Sequence, residues 1–421
     1  MSMDDDSARG GSRICVIRQH HVPQDTRVLR EVTALAGDGY EVDVICVRKP
    51  GEPARERCGQ VTIRRLAVPR GTGGGPGRYL AAYAWFFLRA AALVTVLHAR
   101  RRYQLVQVNT LPDVLVFAAL VPRLSGARLL LDLQECMPEF FATKFRTSVR
   151  HPAVRLIATL EQASIRFADL VITPTDQLRA TFVDRGADPT KISVVMDGAD
   201  EEVFHPNTSA HRDPGRFTLI SHGTIEERYG LDTAIAAVAL LRTEIPELEL
   251  KIYGEGSDRS RLRRLAASLG VADRVHFSDG FVPFDELVEA IASADVGLVA
   301  MKRDLFRDLT LASKVFDFIA MGVPAAVSRT RSVEETFGDD CFELFESGQA
   351  ADLACAIRRL HHDPARRARL AARAGRVAEP YRWPHQRARY LGVVNQLLAA
   401  GPRRTRTWRS SAPTPGRGAA R

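Results

Sequence analysis

Three ionisable residues in the second half of the chain have the types and spacing to stabilise a charged leaving group. Arg228 lies in the stretch Ser221-His222-Gly223-Thr224-Ile225-Glu226-Glu227-Arg228-Tyr229-Gly230. The glycines there let backbone bend and approach a ligand, and free amides at a helix start hold an anion. A guanidinium adds a permanent charge with bidentate reach, so the stretch has the parts that a departing pyrophosphate requires. Lys314 and Asp317 stand one helical turn apart, which puts an ammonium and a carboxylate on the same helix face. Each feature also has a plain reading. The stretch lacks G-x-G-x-x-G and a P-loop lysine, so it is equally an ordinary strand-to-helix loop, and the Lys-Asp pair is equally a surface ion pair.

The elements that would position these residues are short apolar strands alternating with helices. Phe217 to Ile220 reads as a buried strand, and Leu231, Ile235, Val238 and Leu241 follow at helical spacing. The first half has the same rhythm. Strand Ile14 to Ile17, the loop His20 to Asp25, a helix bearing Val28, Leu29, Val32, Leu35 and Ala36, and strand Val42 to Val47 form a βαβ unit. A hairpin pattern at Val61 to Leu66 follows. Strands are then expected at 105–108, 128–131, 170–173 and 192–196, with helices from Pro112, over 153–167 and over 177–185. Beyond the linker they recur at 248–253, 275–277, 296–299 and 323–327, with helices from Ser257, over 284–291 and over 312–321. Strands separated by helices imply parallel sheets, and two such sets imply two doubly wound α/β domains. The polar run from His205 to Gly215 is the natural boundary. Ligands of open α/β sheets bind outside the carboxyl ends of the strands, so a cleft between the domains is the expected site.

At 421 residues the chain is long enough for two or three domains. Its net charge of +9 is unevenly spread, because the stretch from Gly401 holds six arginines and no acid. Its Arg, Pro, Gly and Ser content reads as a disordered basic tail, without the aromatic ladder of a nucleic-acid binder. Six cysteines are scattered without metal spacing and read as small buried hydrophobes in a reducing, cytoplasmic setting. The acidic, polar start MSMDDDSARGG has no apolar core of a signal peptide. Gly71 to Gly77 lacks the following Lys-Ser/Thr of a phosphate loop and reads as a surface loop. Tyr79 to Leu97 is the most apolar segment, interrupted by Arg89 and followed by Arg100-Arg101-Arg102. It suits a packed core helix, an interfacial helix on anionic lipid, or, least well, a membrane span.

The ordered set of motifs resembles the retaining GT-B glycosyltransferases that use nucleotide sugars, from Ile14 to about Leu398. Asp25-Thr26-Arg27-Val28-Leu29-Arg30-Glu31 with Gly39-Tyr40-Glu41-Val42 resembles their first βαβ unit. Asp132-Leu133-Gln134-Glu135 resembles the cleft loop written D-x-H-E, and Ala312 to Pro324 resembles the donor-site helix. Arg382-Trp383-Pro384 resembles the segment that returns to the first domain. The resemblance implies an acceptor-binding domain over 11–205, a nucleotide-sugar domain over 206–380, a crossing helix over 381–400 and the tail 401–421.

It further implies that Arg228, Lys314 and loop amides near Gly223 and Thr224 stabilise the leaving diphosphate, with Asp317 on the ribose. Gly254 and Gly256 would approach the nucleoside and Val282 the base. His20, His21, Asp25 and Glu135 would face the acceptor, with Asp25 equally suited to cap a helix. The reaction implied is metal-independent transfer with retention, from a nucleotide-diphosphate sugar to a lipid-linked or polysaccharide acceptor, at the inner face of the cell membrane. The sequence departs from the family at Thr224 and Tyr229, where Arg and Lys are usual, at Leu309 and Asp317, where an E-x7-E pair is usual, and at Gln134, which replaces His. Those departures keep open a catalytically silent nucleotide-sugar binder, and a GT-B-like epimerase is a third reading.

Overall fold

The computed structural model describes residues 11–68, 76–206 and 212–403. Asp4-Asp5-Asp6, most of the Gly71 to Gly77 run, the middle of the linker and the tail from residue 404 lie outside them. The first sheet is built from β1 (Arg13–Arg18), β2 (Glu41–Val47), β3 (Arg55–Cys58), β4 (Val61–Leu66), β5 (Leu105–Asn109), β6 (Arg128–Asp132), β7 (Leu170–Thr173) and β8 (Ile192–Val194). Their order is β3-β4-β2-β1-β5-β6-β7-β8, and only the β3–β4 hairpin is antiparallel. The second sheet contains β9 (Phe217–His222), β10 (Leu248–Tyr253), β11 (Val275–Phe277), β12 (Val296–Val299), β13 (Ala325–Ser328) and β14 (Glu343–Phe345), all parallel, in the order β11-β10-β9-β12-β13-β14. In both sheets the order reverses beside the first strand, and the crevice at that reversal is where open α/β sheets receive ligands.

The central strands are buried along their length because helices cover both faces, which is why they read as continuous apolar runs. The helix Trp383–Ala399 returns to the first sheet, where Tyr390, Leu391, Val394 and Leu397 join a core with Val16, Leu35 and Val44. Arg128 extends this attachment by donating to the carbonyls of Ala400 and Gly401, and Arg403 N–H donates to Gly126 O. Residues 401–403, which the sequence reading assigns to the tail, are therefore held on the first domain.

Several boundaries differ from the sequence expectation. The helix expected from Pro112 is a 3-10 segment, Asp113–Ala119, followed by a short α-helix, Leu120–Leu124. The strand after Gly322 begins at Ala325 because Pro324 has no N–H to give the ladder. The strand ending at Met196 stops at Val194, and the Met196 N–H is taken by the Gln386 side chain at 2.8 Å.

The apolar segment forms the helix Pro76–Arg101. Phe86, Ala90, Val94 and Leu97 recur along one face and are buried in the first domain's core. Trp85, Leu88 and Val96 on the other face are exposed. Over residues 81–101 the helix is long and apolar enough to cross a membrane by length and composition, but its buried stripe is that of a helix packed on a domain. Of the basic run behind it, Arg101 is spent on Asp43 at 2.5 Å and Glu41 at 3.0 Å.

Candidate active site

The carboxyl ends of the two sheets face a shared cavity of about 1040 Å3. From the first domain it is lined by the loops after β1, β5 and β6, and from the second by the loops after β9, β10, β11 and β12 and the start of the helix Ser313–Ala320. That helix starts at the cavity wall, where Ala312, Ser313 and Lys314 line it, and it has no side-chain cap, so its N-terminal dipole favours an anion there.

Lys314 is on the first turn of this helix and lines the cavity with only 8% of its surface exposed. Its Nζ sits 4.8 Å from the centre of the Tyr229 ring. No carboxylate among the described residues comes within 4 Å of it, so the surface ion pair with Asp317 that the spacing allows is not what forms. Burial lowers the Lys314 pKa to about 8, against a raising pull from Asp317. Asp317 also lines the cavity, and burial raises its carboxyl to about 7. Beside it His222 Nε2 lies 3.6 Å from Asp317 Oδ2. Burial, then the nearby Lys314, lowers the imidazole pKa to about 3, so at neutral pH this contact is not an ion pair and the Nε2 atom has no hydrogen-bond partner among the described residues.

The loops after β9 and β10 are held together by Gly223 N–H to Tyr253 O at 2.9 Å and Ile225 N–H to Glu255 O at 2.8 Å. Gly254 adopts a φ of +138°, and a Cβ there would meet Gly223 O at 2.0 Å, so glycine is required for the two loops to touch. Gly223, Thr224, Gly254 and Val282 all line the cavity. Gly256 does not. It serves the same loop contact from behind, where a Cβ would meet Ile225 O at 1.9 Å.

Arg228 is placed differently from the sequence expectation. Residues Glu227–Tyr229 form a 3-10 turn that directs Tyr229 into the cavity, whereas Arg228 is absent from the cavity wall. Its guanidinium pairs with Glu226 at 2.8 Å and is partly exposed, with Nε buried. A further cation of the second domain, Arg307, does line the wall, and sequence reasoning missed it. Arg307 sits in the irregular loop between β12 and the Ser313–Ala320 helix, where no periodicity marks a side chain's direction.

On the acceptor side His20 and Glu135 line the cavity. One Glu135 oxygen has no hydrogen-bond partner among the described residues, and burial raises the carboxyl's pKa while Arg307, Arg18 and Arg27 pull it down. His21 points the other way and bonds Glu52 at 2.6 Å. Asp25 is also outside the wall. It caps the helix Thr26–Gly37 by accepting from Val28 N–H at 3.3 Å and takes Arg18 Nε at 2.8 Å. Below the acceptor side, Glu31 accepts from Gln107 at 2.7 Å and Asn109 at 2.9 Å, and Asn109 also donates to Asp132 at 2.5 Å. Gln134 donates to the other Asp132 oxygen. Burial, then the adjacent Asp132, raises the Glu31 carboxyl above the usual carboxylate range, so this floor holds its negative charge less readily than its composition suggests. Gln134 in place of His thus serves the floor. Tyr390 on the returning helix donates to Gln107 at 2.6 Å and ties the network to the end of the chain.

Leu309, at the position where the sequence pattern has an acidic residue, is buried in the first domain's core, and its carbonyl accepts from Thr175 Oγ1 at 2.7 Å. The loop after β12 therefore reaches across the cleft.

Comparison with known proteins fits this geometry. Residues 24–198 match the family model described as a glycosyl transferase 4-like domain, and residues 207–377 match that of the group 1 glycosyl transferases. A D-inositol 3-phosphate glycosyltransferase of Stackebrandtia nassauensis is 31% identical over 274 residues, 60% of each chain. A GDP-mannose-dependent alpha-(1-6)-phosphatidylinositol dimannoside mannosyltransferase of Mycobacterium tuberculosis is 30% identical over 243 residues, covering 55% of this chain and 59% of that one. The chain thus matches about three fifths of the length of these curated relatives. The solved sucrose-phosphate synthase of Thermosynechococcus elongatus superposes with a TM-score of 0.76 at 20% identity, over 93% of this chain and all of that one, and shares the two-domain GT-B arrangement.

Proposed function

Because the chain belongs to the group 1 glycosyltransferase family, we propose that it moves a sugar from a nucleotide-diphosphate donor to a lipid-linked or glycan acceptor in cell-surface glycan synthesis, with retention of configuration. The observation that carries this reading is Lys314, a buried ammonium without a carboxylate partner, at the uncapped start of a helix facing an interdomain cavity. A buried unpaired charge is costly, and a diphosphate supplies its partner. In this reading the helix amides, Lys314 and the Thr224 amide hold the diphosphate and gain strength as the sugar–phosphate bond breaks, so no metal is called for. Asp317 receives the ribose hydroxyls. The acceptor hydroxyl enters from the His20 and Glu135 side, attacks the anomeric carbon on the face the diphosphate leaves, and passes its proton to a leaving phosphate oxygen.

The relatives named above, a D-inositol 3-phosphate glycosyltransferase and a phosphatidylinositol dimannoside mannosyltransferase, favour an acceptor with a polyol phosphate or lipid-linked glycan head. The exposed Trp85, Leu88 and Val96 on a helix otherwise anchored in the domain favour peripheral contact with the inner face of the cell membrane. A second reading, a binder of nucleotide sugar that does not transfer, is favoured by Leu309 being locked in the first domain's core.

The test is a thermal-shift panel of UDP, GDP, ADP and their sugar conjugates, followed by product analysis with lipid-linked and soluble acceptors. Stabilisation by one nucleotide class that Lys314→Met abolishes, with an α-linked product from an α-donor, supports transfer. Stabilisation without turnover on any acceptor selects the binder, and no stabilisation sinks both.

A further inference from the structure

The loop between β12 and the Ser313–Ala320 helix spends every charged side chain but one. Lys302 bonds Asp232 at 2.7 Å, and Arg303 pairs with Asp308 at 2.9 Å. Asp304 turns its carboxylate onto the N–H groups of Phe306 and Arg307 at 2.9 and 2.8 Å. Arg307 alone has no side-chain hydrogen bond or ion pair among the described residues, although it is 8% exposed and lines the cavity. Its Nε is buried without a hydrogen-bond partner among the described residues, and its guanidinium rests 4.7 Å from the centre of the Phe306 ring. The charges that act on it include the like charge of Arg228, and the carboxylates Asp304 and Glu135 both lie beyond 4 Å. Burying such a group without a partner works against stability, so its presence on a cavity wall points to a ligand.

The packing around Arg307 differs from that around Lys314, although Tyr229 lies within electrostatic reach of both. Lys314 belongs to the Gly223 and Tyr229 side, where a Cβ on Gly223 would lie 3.8 Å from its Nζ. The Arg307 loop instead reaches the first domain on both flanks. Phe306 packs edge-on against Phe140 at 5.5 Å, and Leu309 O accepts from Thr175. Arg307 thus stands on the cavity wall where this loop of the second domain meets the first domain.

We infer that Arg307 is a specificity-determining residue that binds a second anionic group, a carboxylate or a phosphate monoester carried by the transferred sugar or by the acceptor, apart from the donor's diphosphate. The guanidinium fork matches two oxygens of either group, and at this depth the pairing is strong enough to select against a neutral analogue. The inference rests on the glycosyltransferase reading and narrows its substrate class.

Calorimetry on the full chain tests it with two matched pairs. One compares a nucleoside-diphosphate hexuronate with the corresponding hexose on the nucleobase that binds. The other compares a sugar phosphate with its neutral sugar in the presence of saturating nucleoside diphosphate. In the wild type one pair should differ at least about tenfold in Kd in favour of the anion. In Arg307→Gln that preference should fall within about threefold while nucleoside diphosphate binding is kept. The pair that responds identifies whether donor or acceptor carries the charge. Arg307→Lys, which keeps the charge without the fork, should retain part of it. The ligand-free Arg307→Gln protein should unfold at the same temperature or higher, since an unpaired buried charge has been removed; a clear loss of stability would mark Arg307 as structural. Equal Kd values within both pairs, or a tenfold loss of nucleoside diphosphate binding in the Gln variant, would overturn the inference alone. Failure of the wild type to bind any nucleoside diphosphate would overturn the glycosyltransferase reading with it.

Discussion

Replacing Lys314 with Met should make the ligand-free protein more stable and its nucleotide binding weaker, and the two effects have a common origin. Met keeps most of the apolar stem and removes the ammonium. Burial lowers the Lys314 pKa from the usual 10.5 to about 8. A folded-state pKa below the unfolded value means that stability is fully present above pH 10.5 and is lost as pH falls toward 8, where the folded protein must take up the proton in a buried place. The difference of about 2.5 pKa units corresponds to about 3 kcal/mol, an upper bound because Asp317 loses its neighbouring cation in the variant. A diphosphate restores the partner, and a hydrogen bond to a charged group contributes roughly 1.5–3 kcal/mol, so the variant should bind nucleoside diphosphate about 10- to 150-fold more weakly.

Urea unfolding of both proteins at pH 7.5 and pH 10.5 measures the first effect. The variant should lead at the lower pH and lose its lead at the higher. Calorimetry in two buffers of different ionisation enthalpy measures the second, since wild-type binding near pH 8.5 should take up protons that the variant does not. A variant less stable than wild type at pH 7.5, or nucleotide binding unchanged by the substitution, would refute a buried cation held in readiness for an anion.

Two further substitutions probe the frame of the site. Gly254→Ala forces a Cβ against Gly223 O at a φ of +138°, and should cost roughly 2–5 kcal/mol in urea unfolding and abolish nucleotide-induced stabilisation; a cost under about 1 kcal/mol would show that the loops can part freely. Asp25→Ala removes a helix cap and strands Arg18, and should cost about 1–2 kcal/mol, whereas Asp25→Asn keeps the cap acceptor and most of the transfer rate. A tenfold fall in kcat for the Asn variant at unchanged stability would instead return Asp25 to the acceptor site.

The two sheets were legible because their strands are apolar on both faces and separated by helices with a clear period, as at Phe217 to Leu241. The pieces that escaped were short, such as the three-residue β14, or irregular, such as the 3-10 segment Asp113–Ala119. The site divides in the same way. Lys314 and Asp317 could be placed because regular helical spacing fixes where side chains point. Arg228 and Arg307 could not, since a 3-10 turn and an aperiodic loop decide which of Arg228, Tyr229 and Arg307 reaches the cavity, and no spacing rule covers either. The Asp25 ambiguity was inherent, because a capping carboxylate and a ligand-binding one share a residue type and a loop position.

Leu309 gives the molecule an evolutionary constraint. Its side chain counts among the first domain's core residues although it is carried by the second, two positions after Arg307 and five before Lys314. A lineage drifting toward a new substrate by altering this loop would therefore be tested at once on whether its two halves still fit. Changes of selectivity should be inherited in company with compensating changes in the other half, at Thr175 and in the core that receives Leu309, so that a loop transplanted from a relative would carry its specificity only when its neighbours travelled with it.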